Sequence, residues 1–200
     1  MDQIYTHPKR KTKVVFVQLG SPSEPTTKAL RKYLRKFLGD PRVVDINPWL
    51  WKIILNFFVL PFRPKKSAKL YARIWDGKSF PLITNTRDFT NNVREELKKI
   101  DPNGHVEVNH AFLLSPPYVN EVYDSWEDDL KKGVGATKLL VIPMFPQYSE
   151  STIASGIDAL AKELSKRVKI PTFEVITNFH RTHAFIDNSM RQVDSKINEL

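Results

Sequence analysis

The sequence predicts an α/β fold in which a parallel sheet is covered by helices on both faces. Three observations predict it. Short, apolar, β-branched runs recur along the chain, each run stops abruptly at a turn or a hydroxyl-rich loop, and each is followed by a segment whose apolar residues repeat at helical spacing. A chain of 200 residues suits one domain, and it contains no linker, internal repeat or low-complexity tract.

The first strand is KVVFVQL, Lys13 to Leu19, closed by the turn GSPSEP. In TTKALRKYLRKFL the positions Ala29, Leu30, Tyr33, Leu34, Phe37 and Leu38 mark a helix, with Pro25 near its start and Gly39 at its stop. Its outer face carries Lys28, Arg31, Lys32, Arg35 and Lys36, five cations and no anion, which favours an acidic partner. NPWLWKIILNFFVLPF follows, too short for a membrane span of roughly 20 apolar residues and interrupted by Lys52. It reads either as a buried core helix or as an exposed apolar lip beside a pocket or a bilayer. The basic stretch RPKKSAKLYAR comes next, the pattern of a chain touching anionic lipid.

Beyond it, Phe89, Val93, Leu97 and Ile100 mark a helix, and HVEVNHAFLL alternates as a strand through Val106, Val108, Phe112 and Leu114. Val119, Val122, Tyr123, Trp126 and Leu130 mark a further helix, TKLLVIPMF a strand, Ile153 to Val168 a helix, TFEVIT a strand and Phe185 to Ile197 a last helix.

Composition narrows the chemistry. The absence of cysteine removes disulfides, zinc–thiolate sites and cysteine-ligated iron–sulfur clusters. MDQIYTHPKRKTK has no apolar signal core, so a cytoplasmic protein is expected. A net charge of +9 fits an anionic membrane face or an acidic small molecule, and no nucleic-acid motif with defined spacing accompanies it. The first turn has one glycine where a dinucleotide fingerprint needs three, and neither a P-loop nor a Gly-x-Ser-x-Gly elbow occurs. His180 and His183 lie three apart at a helix start without a carboxylate or third ligand in the segment, a polar helix entry. His110, in phase with the apolar residues of its strand, reads as a partly buried histidine with a hydrogen-bond partner. In FPQYSEST, Ser149, Ser151 and Thr152 stand between a strand and a helix, where hydroxyls and free N–H groups bind carboxylates or merely cap.

Four stretches then point the same way: LGSPSEPTTKALRKYLRKFLGDPRVVDI, LPFRPKKSAKLYARIW followed by PLITNTRDF, PMFPQYSESTIAS, and NFHRTHAFI. In order and spacing, from about Lys13 to Ile186, they resemble the ferrochelatases, which insert ferrous iron into protoporphyrin to make haem. The resemblance implies a chelatase-like, doubly wound parallel sheet forming one of two similar domains that hold the porphyrin between them. Residues 1–200 would be the N-terminal domain, with 13–183 its core and 184–200 the start of a connecting helix. It implies porphyrin-binding positions at Leu19, Arg73, Phe145, Tyr148, Ser149 and Ser151, which should converge on one pocket edge. It also implies an apolar lip of Trp49, Leu50, Trp51, Ile54, Phe57 and Phe58 facing the membrane, hence a peripheral membrane contact. The resemblance further implies ferrous iron and protoporphyrin as substrates of the complete enzyme, with no tightly bound cofactor expected.

The sequence departs from the family in three places. The His-Gly-(Val/Leu)-Pro motif of the metal-handling histidine does not occur, so the second, catalytic-histidine domain is expected to be absent. The family's Arg-Tyr pair is replaced by Leu113–Leu114, and Phe145 lacks a tyrosine hydroxyl. Small homodimeric chelatases carry their histidine at the end of the first strand, where this chain has Gln18-Leu19-Gly20. Two readings follow. The chain is the porphyrin-binding half of a ferrochelatase, needing a second half-chain or a homodimer mate, or it is a non-catalytic porphyrin-, haem- or membrane-binding module on the same fold.

Overall fold

The computed structural model describes residues 11–133 and 136–199, without the side chain of Leu130. The N-terminal stretch read above for a signal core lies, up to residue 10, outside the described residues. The strands are β1 (Thr12–Gln18), β2 (Val106–Phe112), β3 (Lys138–Pro143) and β4 (Thr172–Val175), all parallel, in the order β2-β1-β3-β4. The helices are α1 (Thr27–Leu38), α2 (Pro48–Ile54), α3 (Leu60–Tyr71), α4 (Pro81–Ile100), α5 (Val119–Lys131), α6 (Ser155–Leu164) and α7 (His183–Asn198). The fold is the doubly wound α/β sheet expected from the strand–helix alternation.

Both sheet faces are buried because successive side chains of a strand point to opposite sides. Val14, Phe16 and Val108 face α4, where Val93 and Leu97 cover them. Val15, Val17, Ala111, Leu139 and Val141 face Tyr123 and Trp126 of α5 and Leu160 and Leu164 of α6. A third cluster, Tyr33, Leu34 and Leu38 with Leu55 and Leu60, joins α1 to the helices after it. β2 is an edge strand, and Arg94 covers part of that edge by donating from Nε to the Val108 carbonyl (2.7 Å).

The apolar stretch and the basic stretch after it are one continuous helical rod. A π-helical turn, Leu55–Val59, joins α2 to α3, and the N–H after it reaches back from Leu60 to Leu55. Pro61, which cannot donate to Phe57 and whose ring would crowd that carbonyl, accounts for the widening. A second π-helical turn, Glu150–Ala154, leads into α6, so the helical segment begins three residues before the expected Ile153, and it ends at Leu164 rather than Val168.

His110 corrects one expectation. Its ring is partly buried edge-on against Phe112 (5.5 Å), but Nδ1 is buried without a hydrogen-bond partner. Burial, then Arg94 and Arg87, push its pKa below the ordinary imidazole value. Because the folded value is the lower one, the contribution to stability is complete above about pH 6.5 and is lost as pH falls through the folded pKa. Urea unfolding of the chain should therefore weaken between pH 7 and pH 5, and His110→Gln should flatten that dependence; an unchanged slope would contradict the assignment. Just past the end of β1, Gly20 has φ of +92°, and an added Cβ would overlap Ser115 Oγ. Gly20→Ala should cost about 1–3 kcal/mol in urea unfolding, since strained backbone and overlap add.

Candidate functional site

In an open parallel sheet the loops after the strands collect at one end, and a crevice opens where successive connections leave in opposite directions. Here β1 lies between β2 and β3, so the loops after these three strands meet. The β1–β2 pairing runs on past both strands: Leu113 N–H donates to Gln18 (3.0 Å) and Leu114 N–H to Leu19 (3.0 Å). Ser21 N–H donates to Ser115 Oγ (3.3 Å), and Met144 N–H to Val17 (2.8 Å). Three loops are thereby fixed to one another at the sheet's end.

On this floor lies a cavity of about 300 Å³, lined by Ser21, Tyr33, Trp75, Phe80, Ser115 and Tyr118 and rimmed by Lys32, Lys36 and Lys78. Its wall is aromatic: Trp75 packs on Phe80 (4.6 Å between centroids), Phe80 on Tyr71 (5.5 Å), and Tyr71 on Tyr33 (6.2 Å). The Tyr33 hydroxyl donates to the Gly20 carbonyl (3.3 Å), and burial followed by the neighbouring Tyr71 pushes its pKa well up, so it stays a donor. Lys36 lies over the Tyr118 ring (4.5 Å) and donates to its hydroxyl (3.1 Å). Among the described residues none of the three rim lysines is within ion-pair distance of a carboxylate. An apolar wall with unneutralised ammonium groups at its edge suits a flat apolar molecule carrying acids.

Leu114 separates this cavity from a second one, about 170 Å³, lined by Leu19, Phe37, Leu113, Ser151 and the carboxylates of Asp40 and Asp158, with Lys162. Arg42, which does not line it, donates from Nε and Nη2 to the two oxygens of Asp158 (2.5 and 3.0 Å). That pair holds the Asp158 carboxyl below its ordinary range. Ser149 Oγ bonds the hydroxyls of Ser151 (3.2 Å) and Thr152 (2.8 Å), and its side chain makes no capping bond to the helix backbone. The three hydroxyls form a cluster and do not act as a conventional cap.

The expected positions divide between these features. Leu19 and Ser151 share the second cavity. Arg73 is exposed in a single 3-10 turn, Ala72–Ile74, between Tyr71 and Trp75 of the aromatic wall, and lines neither cavity. Phe145 is half-buried, and Tyr148 is exposed. On the lip, Trp49 is 79% and Phe57 70% exposed, with Leu50 and Phe58 beside them. Trp51 turns inward, its indole N–H donating to Leu38 (2.7 Å), and Ile54 is half-buried; Ile53 and Phe62 complete the exposed patch instead. His180 places Nδ1 3.3 Å from the Pro146 carbonyl, a polar entry to α7. Among the described residues no three His, Asp or Glu side chains assemble as a metal site.

Trp75, Lys78 and Tyr118 had no signal at the level of sequence, since nothing in their spacing brings them together. Lys32 and Lys36 stood in the one-signed face of α1, which was the available clue.

The ferrochelatase family model matches residues 11–200. The chain is 40% identical to the ferrochelatase of Idiomarina loihiensis over 181 residues, 90% of this chain and 48% of that protein. It is 37% identical to the ferrochelatase of Marinobacter nauticus over 182 residues, 91% of this chain and 48% of that protein. It is 36% identical to the coproporphyrin III ferrochelatase of Streptococcus mutans over 192 residues, 96% of this chain and 58% of that protein. The chain thus spans about half the length of the curated relatives it matches. The matched positions include the turn after β1, the basic end of α3 and the hydroxyl cluster before α6, and the chain belongs to the ferrochelatase family.

Proposed function

We propose that this chain is the porphyrin-binding half of a ferrochelatase that inserts ferrous iron into protoporphyrin to make haem. The observation that carries the reading is the aromatic cavity with Lys32, Lys36 and Lys78 on its rim. At about 300 Å³ it is at the small end for a ligand pocket. It takes one edge of a macrocycle and leaves the rest for a facing domain. Residues 13–183 would make the core unit and 184–200 the start of a connecting helix.

The charge distribution supports a porphyrin with its acids on one edge. Three lysines without a carboxylate partner border the first cavity, while the second is walled by Leu19, Leu113 and Leu114 and holds Asp40 and Asp158 with a single lysine, Lys162. A protoporphyrin, two propionates on one edge and apolar substituents opposite, matches that polarity. A tetracarboxylate such as coproporphyrin would bring acids onto leucines and carboxylates. Arg73, exposed in the turn between Tyr71 and Trp75, would meet a propionate from outside the rim, and Ser149 and Ser151 offer neutral hydroxyls, Ser151 at the apolar cavity.

Metal insertion must also remove two pyrrole N–H protons, which requires a base within hydrogen-bond reach. Among the described residues no histidine lines either cavity. The base belongs to a second half. The competing reading, a non-catalytic porphyrin-binding or membrane-surface module, draws on Leu113–Leu114 and on the exposed lip. Trp49, Phe57, Phe58 and Phe62 stand with Lys52, Arg63, Lys65 and Lys66 on one exposed rod, a surface suited to the anionic face of a cytoplasmic membrane. No helix among the described residues is long and apolar enough to cross a membrane.

Three outcomes are expected. In a protoporphyrin titration followed by tryptophan quenching, Lys32→Ala with Lys36→Ala should weaken binding about tenfold or more, and Arg73→Ala by a smaller factor in the same direction. Ser149→Ala, which removes only a neutral contact, should change it less than Arg73→Ala does. Equal affinity in the lysine variant would contradict the site. The chain alone should form haem from ferrous iron and protoporphyrin no faster than a protein-free control, and a clear excess would contradict the assignment of the base to another half. Co-sedimentation with anionic vesicles should fall when Trp49 and Phe57 are replaced by Ser and persist with Trp51→Ser, whose side chain is turned inward.

A further inference from the structure

The cavity beside Gly20 takes one wall from a single short loop. Residues 75–80 join the 3-10 turn at the end of the rod to α4, and Trp75, Lys78, Ser79 and Phe80 all line the cavity. Among the described residues, every hydrogen bond of Asp76, Gly77, Lys78 and Ser79 stays within this loop. Asp76 makes most of them. Its Oδ1 accepts from the Lys78 N–H (2.7 Å) and the Ser79 N–H (2.5 Å), and its own N–H donates to the Ser79 carbonyl (3.3 Å). An aspartate that accepts from N–H groups two and three residues ahead closes the chain into a turn. Gly77 inside that turn has φ of +94°, where a side chain would add strain.

A carboxylate at this place has the wrong charge for a rim that receives acids, so its presence calls for another reason. Ser79 and then Lys78, donating through their backbone N–H groups, hold the Asp76 carboxyl below its ordinary range. Its charge is thus engaged by the turn itself. Trp75 is kept in the wall by packing on Phe80 (4.6 Å between centroids), whereas Lys78 is exposed and its N–H is a group that Asp76 holds. A lysine on an unfixed loop would have to be ordered, loop and side chain together, each time a ligand binds. We infer that Asp76 is a positioning residue for porphyrin binding, fixing the backbone from which Lys78 reaches the cavity rim. The inference rests on the porphyrin reading of this cavity.

Protoporphyrin titrations of the whole chain, followed by tryptophan quenching, test it. Asp76→Ala should weaken binding about tenfold, the cost of ordering the loop and Lys78 on binding. Asp76→Asn, whose amide oxygen can accept the same two N–H groups, should bind within about twofold of the unaltered chain. In a Lys78→Ala background, Asp76→Ala should add less than about twofold, because the two residues act as one unit. Unchanged affinity in Asp76→Ala would overturn the inference, even with a lowered melting temperature, which would make the turn structural only. Tighter binding by Asp76→Ala would overturn it by showing that the carboxylate merely repels the ligand. Binding by Asp76→Asn as weak as by Asp76→Ala, or an undiminished loss in the Lys78→Ala background, would overturn it as well. Absence of protoporphyrin binding by the unaltered chain would overturn the porphyrin reading and this inference with it, whereas binding that survives Asp76→Ala overturns the inference alone.

Discussion

The close approach of Gly20 to Ser115 holds the functional end of the molecule together. With its positive φ and no Cβ, Gly20 lets the turn after β1 lie directly on the turn after β2. The adjacent Ser21 N–H donates to the Ser115 hydroxyl, and the Gly20 carbonyl receives the Tyr33 hydroxyl. A single residue thus ties the sheet to α1 and, through Tyr33 and Tyr71, to the aromatic wall. Without that contact the cavity would lose its floor, and the lysines of α1 would have no fixed relation to Ser115 and Tyr118.

The end of the sheet built on this contact carries three lysines at one cavity and a mixed set, Asp40, Asp158 and Lys162, at the other. Lys32, Lys36 and Lys78 have no carboxylate within ion-pair distance, whereas Asp158 of the neighbouring cavity is tied to Arg42. Leu114 is the partition between them. The same residue packs on the cluster that joins α1 to the rod carrying the lip. The aromatic cavity and the exposed lip therefore share a packed core.

The central strands β1 and β3 were legible as short continuous apolar runs, Val14 to Val17 and Leu139 to Ile142, because both of their faces are covered, whereas edge strand β4 leaves Thr172 to Glu174 exposed. The rod was half legible. Its apolar part read as a helix, but the basic part did not, because Pro61 and Pro64 break the expected periodicity and the π-helical turn that accommodates Pro61 leaves no mark in residue spacing. His110 was legible in burial and not in bonding: strand phase places a side chain against a face but does not supply a partner for its nitrogen. The site was least legible. Trp75, Lys78 and Tyr118 come from three loops, and only the closed floor of Gly20 and Ser115 brings them to one cavity. For α7, helical periodicity marked the helix, while the exposure of its whole length is set by tertiary packing that spacing does not carry.

The central claim is that the cavity beside Gly20 receives the acidic edge of a porphyrin. Backbone and indole NMR shifts of the chain during addition of protoporphyrin test it most directly, because the macrocycle's ring current marks the residues it covers. The account predicts large shifts at the Trp75 indole and at the Gly20, Ser21 and Ser115 amides, saturating together at one equivalent. Shifts confined to α7, to β4 or to the exposed lip, with the Gly20 and Ser115 amides unmoved, would contradict it.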